Sequence, residues 1–249
     1  DRFKQLNITC TTEEISTYAE SIGADKGELM IVCECMFDGD ISSANISSIN
    51  KSSFVRIRNY LKKKQPQLFN LEKNTYNGLL ADIKYFPVPR SNKRKEWVNY
   101  VNSWNYERTY KGNRTHEGTD VMGDINKDGI YPVVSVSDGY VSNIGWLELG
   151  GWRIGITSPS GIYYYYAHLD SYAKEYKEGD VIRAGDIIGY MGSTGYSKVE
   201  GTKNKFPVHL HFGIYITPDP DIAADYEEIA LNPYNILKIN ENNTLIYSY

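Results

Sequence analysis

Four histidines occur in the 249-residue chain, and all of them fall at or beyond position 116. His116 and Asp120 make an HxxxD pair, His168 stands alone, and His209 and His211 make an HxH pair. Neutral imidazoles with a carboxylate are the donors that borderline Zn²⁺ prefers where thiolates are absent. Residues two apart on a strand share a face, so His209 and His211 project to the same side. One can then hold a metal while the other works beside it. His116 and Asp120 lie in a glycine-containing stretch without helical periodicity, which places them on a loop or a strand end. Two pairs and one further imidazole make up a set of three ligands with two imidazoles to spare. Three protein ligands leave a fourth position open, the arrangement of a catalytic zinc. With no HExxH glutamate in the chain, proton transfer falls to a histidine, whose pKa near neutrality suits the task.

The elements that must position these groups divide the chain into two parts. The first ~65 residues read as helical. Thr11 with Glu14 is a capping box ahead of Ile15, Tyr18, Ala19 and Ile22, and Gly23 follows. Asp25 with Glu28 starts a second helix whose stripe is Leu29, Val32, Cys33 and Met36. A third runs from Ser52 or Ser53 through Phe54, Ile57 and Leu61; Lys62, Lys63 and Lys64 complement its C-terminus and Pro66 stops it. From Phe86-Pro87-Val88-Pro89 the pattern changes, and the segment to Tyr110 reads as a linker that packs down. Short strand-like runs follow at Tyr131–Val136, Gly139–Ile144, Trp152–Thr157, Ile162–Ala167, Ile187–Met191 and Val208–Ile216, with Gly150-Gly151 and Ser160-Gly161 as turns. The reading is therefore α+β: a small helical accessory domain with its linker over 1–83, then an antiparallel sheet domain over 84–249.

The second half resembles the lysostaphin-type, or LytM-type, zinc metallopeptidases. The stretch from Arg114 through His116 to Asp120, the Tyr166-Ala167-His168-Leu169 element and Val208-His209-Leu210-His211-Phe212 occur in that family's order. Between them, Asp138-Gly139-Tyr140-Val141 looks like the family's strand turn. The run from Val181 to Gly189, then Gly192-Ser193-Thr194-Gly195, looks like its glycine-bearing hairpin, and Asn232-Pro233 like its closing turn. The match covers about 110–217. It implies a LytM-like antiparallel sheet with a groove over one Zn²⁺, and hydrolysis of peptide bonds in bacterial peptidoglycan, in stem peptides or cross-links. Carried over position by position, His116, Asp120 and His211 are the implied zinc ligands, and His209 and His168 the catalytic histidines. His209 is the expected general base, and His168 stabilises the oxyanion or orients the water; the two roles are exchangeable. Tyr164 and Tyr166 share parity with His168, so a regular strand turns them toward the groove, as substrate contacts or as simple packing, and turns Tyr163 and Tyr165 away.

The remaining features narrow the reading. A net charge of −4 argues against nucleic acid as a partner, and no run approaches ~18 apolar residues. Cys10, Cys33 and Cys35 crowd into the first 35 residues, where at most one bridge can form. Asp124-Ile125-Asn126-Lys127-Asp128-Gly129 imitates half of an EF-hand loop, but Ser135 replaces its terminal glutamate, so it reads as a polar turn. The helical half carries no chemistry and offers a surface for a protein partner, or a cover for the groove. Two rivals follow: a cell-surface scaffold of sporulation or division type that keeps the fold, and a zinc hydrolase of small esters or amides. The implied substrate places the chain outside a bacterial cell or at its surface, with any membrane anchor outside this sequence.

Overall fold

The computed structural model describes residues 2–110, 112–218 and 228–249. Its N-terminal part is helical: α1 (Arg2–Gln5), α2 (Thr12–Ile22), α3 (Lys26–Met36), α4 (Ser43–Ser48), α5 (Lys51–Lys64) and α6 (Pro66–Asp82). The expected capping box forms, with the Glu14 N–H donating to Thr11 Oγ1 at 3.2 Å and the Thr11 N–H to Glu14 Oε2 at 2.7 Å. Gly23 closes α2 in the left-handed region at φ 67°, where a side chain is strained. Asp25 accepts from the Glu28 N–H at 3.0 Å and starts α3, whose Leu29, Met30, Val32 and Cys33 are buried. All three cysteines are free.

Helix α6 corrects the sequence reading. Pro66 ends α5 and also occupies the first turn of α6, where its missing N–H costs nothing. The helical part thus runs on to Asp82. Gly78 of α6 lies against the turn at Ser160 and Ile162; a Cβ there would stand 2.9 Å from a side-chain atom of each.

The strands that follow are β1 (Arg90–Ser91), β2 (Val98–Asn99), β3 (Glu107–Arg108), β4 (Arg114–Thr115), β5 (Thr119–Gly123), β6 (Pro132–Val134), β7 (Gly139–Leu147), β8 (Gly151–Thr157), β9 (Tyr163–Tyr172), β10 (Val181–Ile182), β11 (Ile187–Met191), β12 (His209–Ile216), β13 (Ile229–Leu231) and β14 (Ile246–Tyr247), with α7 (Tyr234–Asn240) before the last. Among the described residues the main sheet runs β10-β7-β8-β9-β12-β5-β2, all antiparallel, with β11 on β9 and β13 on β12. The inner face is apolar: Val121, Ile154, Ile156, Tyr164, Tyr166, Leu210, Phe212 and Ile214 are fully buried. The segment read as a linker instead supplies β1, β2 and β3. Strand β1 pairs in parallel with β14, and β3 pairs with β4.

The EF-hand look-alike behaves as a polar turn. Asp124 accepts from the Trp97 N–H at 3.0 Å, Asn126 from the Val208 N–H at 2.8 Å, and Asp128 from the Ser193 hydroxyl at 2.9 Å.

Candidate metal centre

Register builds the centre. Antiparallel pairing of β12 with β5 sets His211 opposite Asp120, and His209 two residues earlier opposite Met122. The shared strand parity carries both imidazoles to one face. His116 sits in the short connection between β4 and β5. Three donor atoms converge there: His116 Nε2 is 3.0 Å from Asp120 Oδ1 and 3.0 Å from His211 Nδ1, and His211 Nδ1 is 3.1 Å from the same carboxylate oxygen. Two ring nitrogens and a carboxylate oxygen at such spacing suit one small divalent cation, since ligands 2.0–2.1 Å from a tetrahedral zinc stand about 3.3 Å apart. Gly118 makes room: a Cβ there would fall 2.5 Å from His211 Cε1.

The tautomers are set from behind. His116 Nδ1 lies 3.1 Å from the Ser103 carbonyl, His168 Nδ1 2.7 Å from the Thr194 carbonyl and His209 Nδ1 2.8 Å from the Pro207 carbonyl. A carbonyl only accepts, so each Nδ1 carries the proton and each Nε2 is left bare. Backing of this kind orients metal-binding and proton-transferring imidazoles alike. The His168 and His209 ring centroids are 4.7 Å apart, and His209 Nε2 is 3.7 Å from Asp120 Oδ1.

Burial decides the electrostatics. It holds His168 well below the ordinary histidine value, reinforced by His209 and His211. It lowers His209 and His211 too, although the Asp120 charge opposes it at both. Burial resists ionisation of Asp120, but contact with the His116 and His211 ring nitrogens outweighs it and keeps the carboxyl ionised far into acid. At neutral pH the arrangement is thus one carboxylate beside His168, His209 and His211, which burial holds unprotonated, a set that asks for a cation.

The tyrosine expectation is corrected. Tyr164 and Tyr166 are fully buried in the core, where the Val136 N–H donates to Tyr166 Oη at 2.9 Å. Tyr165 lines the groove instead, with its ring edge-on to His211 at 5.9 Å. The cause is a bulge. Trp152 pairs with Leu169 and Ile154 with Tyr166, so one extra residue enters β9, and His168 sits there at φ 62°. The bulge resets the parity between Tyr166 and His168 and so aims His168 to the tyrosine face that the regular alternation turned away.

Sequence reasoning also missed Arg108, whose Nη2 lies 2.5 Å from Asp120 Oδ2, and Tyr215, whose hydroxyl donates to the Glu117 carbonyl at 3.0 Å. The groove is lined from the β3–β4 ribbon, the segment from it into β5, the end of β7 and the turn after it, the middle of β9, Tyr196 and β12; no described residue of 2–82 lines it. The helical part therefore does not cover the site.

An antiparallel sheet that presents such a donor set in an open groove is the layout of a metallopeptidase domain. The Peptidase family M23 profile matches residues 114–223, and the chain belongs to that family. It is 43% identical over 130 residues to the L-Ala–D-Glu endopeptidase of Bacillus subtilis (strain 168), covering 52% of this chain and 37% of that protein. It is 34% identical over 128 residues to the glycyl-glycine endopeptidase ALE-1 of Staphylococcus capitis, covering 49% and 32%. The chain thus spans about a third of the length of these curated relatives. A crystal structure of a LytM chain from Ruminococcus gnavus ATCC 29149 is similar over 100% of this chain and 93% of that one, at 40% identity and a TM-score of 0.77. The alignment with that chain takes in the helices as well as the sheet.

Proposed function

We propose that the protein is a zinc-dependent endopeptidase that hydrolyses peptide bonds in bacterial peptidoglycan, at or outside the cell surface, with 84–249 as its peptidase unit. The observation that carries this reading is the triangle of His116, Asp120 and His211 donor atoms beside two further imidazoles in one groove. Those three residues would hold the ion, which when bound supplies Lewis-acid polarisation of a carbonyl and a more acidic water. The chain's own groups do the rest. His209, neutral through burial, offers Nε2 as the base that takes a proton from the attacking water. His168, its Nδ1–H fixed on the Thr194 carbonyl, presents a bare Nε2 across the groove, where it accepts from that water and orients it. The activities for which these relatives are named, on L-Ala–D-Glu and glycyl-glycine bonds, support a peptide substrate.

The test is mass spectrometry of purified peptidoglycan after incubation with zinc-loaded protein, beside its His209→Ala variant. New amine and carboxyl ends are expected with the parent, and a loss of 10²- to 10⁴-fold in turnover, of the order general-base removal brings, with zinc content unchanged in the variant. Undiminished turnover by a zinc-replete His209→Ala protein sinks the base assignment.

A further inference from the structure

The two-stranded ribbon of β3 and β4 contains an electrostatic oddity. Its register sets Arg108 directly opposite Arg114. Like charges at cross-strand positions destabilise a pair, so something must offset them. Arg108 has a partial answer in Asp120 Oδ2, at 2.5 Å, with the two side chains 30% and 18% exposed. One contact, however, uses a single N–H of the five that a guanidinium carries. Arg114 has less. Its Nη2 reaches only the Tyr196 hydroxyl, at 3.4 Å, and its Nε is buried with no partner among the described residues. Glu117, the other acid on the groove wall, is exposed to solvent, where an ion pair is worth little. Both arginines line the same groove as His116, Asp120, His209 and His211. A cation bound by the donor triangle would draw Asp120's charge toward itself and leave the two guanidiniums still less compensated.

We propose that Arg108 and Arg114 form a carboxylate subsite, and that the peptide hydrolysed bears a free carboxylate within two residues of the scissile bond. The position follows from reach. Arg108 touches the far oxygen of Asp120, whose near oxygen is one of the convergent donors, and an extended peptide advances only ~3.3–3.6 Å per residue. The chemistry follows from shape: a planar fork of N–H donors matches a carboxylate in two parallel hydrogen bonds. A bridge made of glycine alone gives this pair nothing to bind, whereas an acidic stem peptide does.

The inference rests on the peptidase reading, so its test has a catalytic and a binding arm. The probes are muropeptides from purified peptidoglycan, native or amidated with ammonia and a carbodiimide, which converts carboxylates to carboxamides. With zinc-loaded full chain, amidation should lower kcat/KM about tenfold or more, the loss expected for a charge-assisted hydrogen bond. Arg114→Gln should pull the native-to-amidated ratio toward one, and Arg114→Lys should recover part of it. Equal cleavage of both probes by the parent, or an unchanged ratio in Arg114→Gln, overturns the subsite. The binding arm is calorimetry of both probes with the His209→Ala protein. Preferential binding of native fragments that Arg114→Gln then abolishes supports the subsite even if the parent cleaves neither probe, in which case the hydrolase reading alone fails. No preference in binding overturns the subsite whatever the turnover.

Discussion

The two halves of the molecule bury ionisable groups of opposite kinds. In the helical half, Glu34 is 7% exposed and accepts from the Tyr76 hydroxyl at 2.8 Å; burial raises its pKa. Burial, and then the Glu34 charge, push Glu72 up to about 7. In the sheet half, burial lowers His168, His209 and His211. Each raised carboxyl binds its proton more tightly folded than unfolded, so its contribution weakens as pH rises above 4.5, for Glu72 up to about 7. Each lowered imidazole binds its proton less tightly folded, so in metal-free protein its contribution is lost as pH falls below 6.5. Acidification therefore favours the helices and works against the empty-handed histidine cluster. The helical half meets its buried charge by keeping protons, whereas the sheet half sets one carboxylate among imidazoles that burial holds unprotonated, a cluster whose demand a cation fills.

If the histidine cluster adds no stability of its own, the sheet half must draw its stability from its core. Tyr166→Ala should then cost about 3–5 kcal/mol, as large-to-small core changes do, measured by urea unfolding. Tyr165→Ala should cost less stability and more turnover. A reversed pattern, with Tyr166→Ala stable but poor in KM, would return the substrate contact to Tyr166.

Metal should act on one half only. Zinc at 100 times its Kd is expected to stabilise metal-free protein by about 2.7 kcal/mol, with slower amide exchange on β5 and β12 and no change in α3. His211→Ala should abolish that gain. Equal protection of α3 would show that the halves unfold as one unit and blunt the contrast.

The smallest effect belongs to Glu72. Glu72→Gln should raise stability at pH 8, where the parent holds an ionised, half-buried carboxylate, and the gain should fade to nothing near pH 4.5. Urea midpoints at the two pH values measure it. An equal gain at both would assign the change to packing instead.

What the sequence revealed follows from where regular geometry holds. The HxH parity in β12 survived because no residue interrupts that strand between His209 and Ile216. The caps at Thr11 and Asp25 were legible because each is a local bond three residues long. Parity in β9 failed at a single bulge, which no alternation of residue types signals. Helix α6 was hidden because a proline that stops one helix is equally at home in the first turn of the next. Arg108 was invisible as a site residue because its link to Asp120 spans the ribbon, and nothing in a charged, aromatic segment announces that it will fold back.

One pairing has a consequence for the timing of assembly. The backbone carbonyls of Lys4 and Leu6 are met by the Asn232 N–H at 2.7 Å and the Asn235 side-chain amide at 3.2 Å, the latter 229 residues along the chain. During synthesis at ~5–20 residues per second, that interval lasts roughly 10–50 s. Throughout it, α1 has been made and the acceptors beside it are still open to other donors. A chain interrupted before Asn232 can already contain every histidine of the groove and can seat Phe3 on Tyr76, yet the Lys4 and Leu6 carbonyls lack these two donors. The contact between these two distant segments is thus made after the groove's chemistry has been laid down.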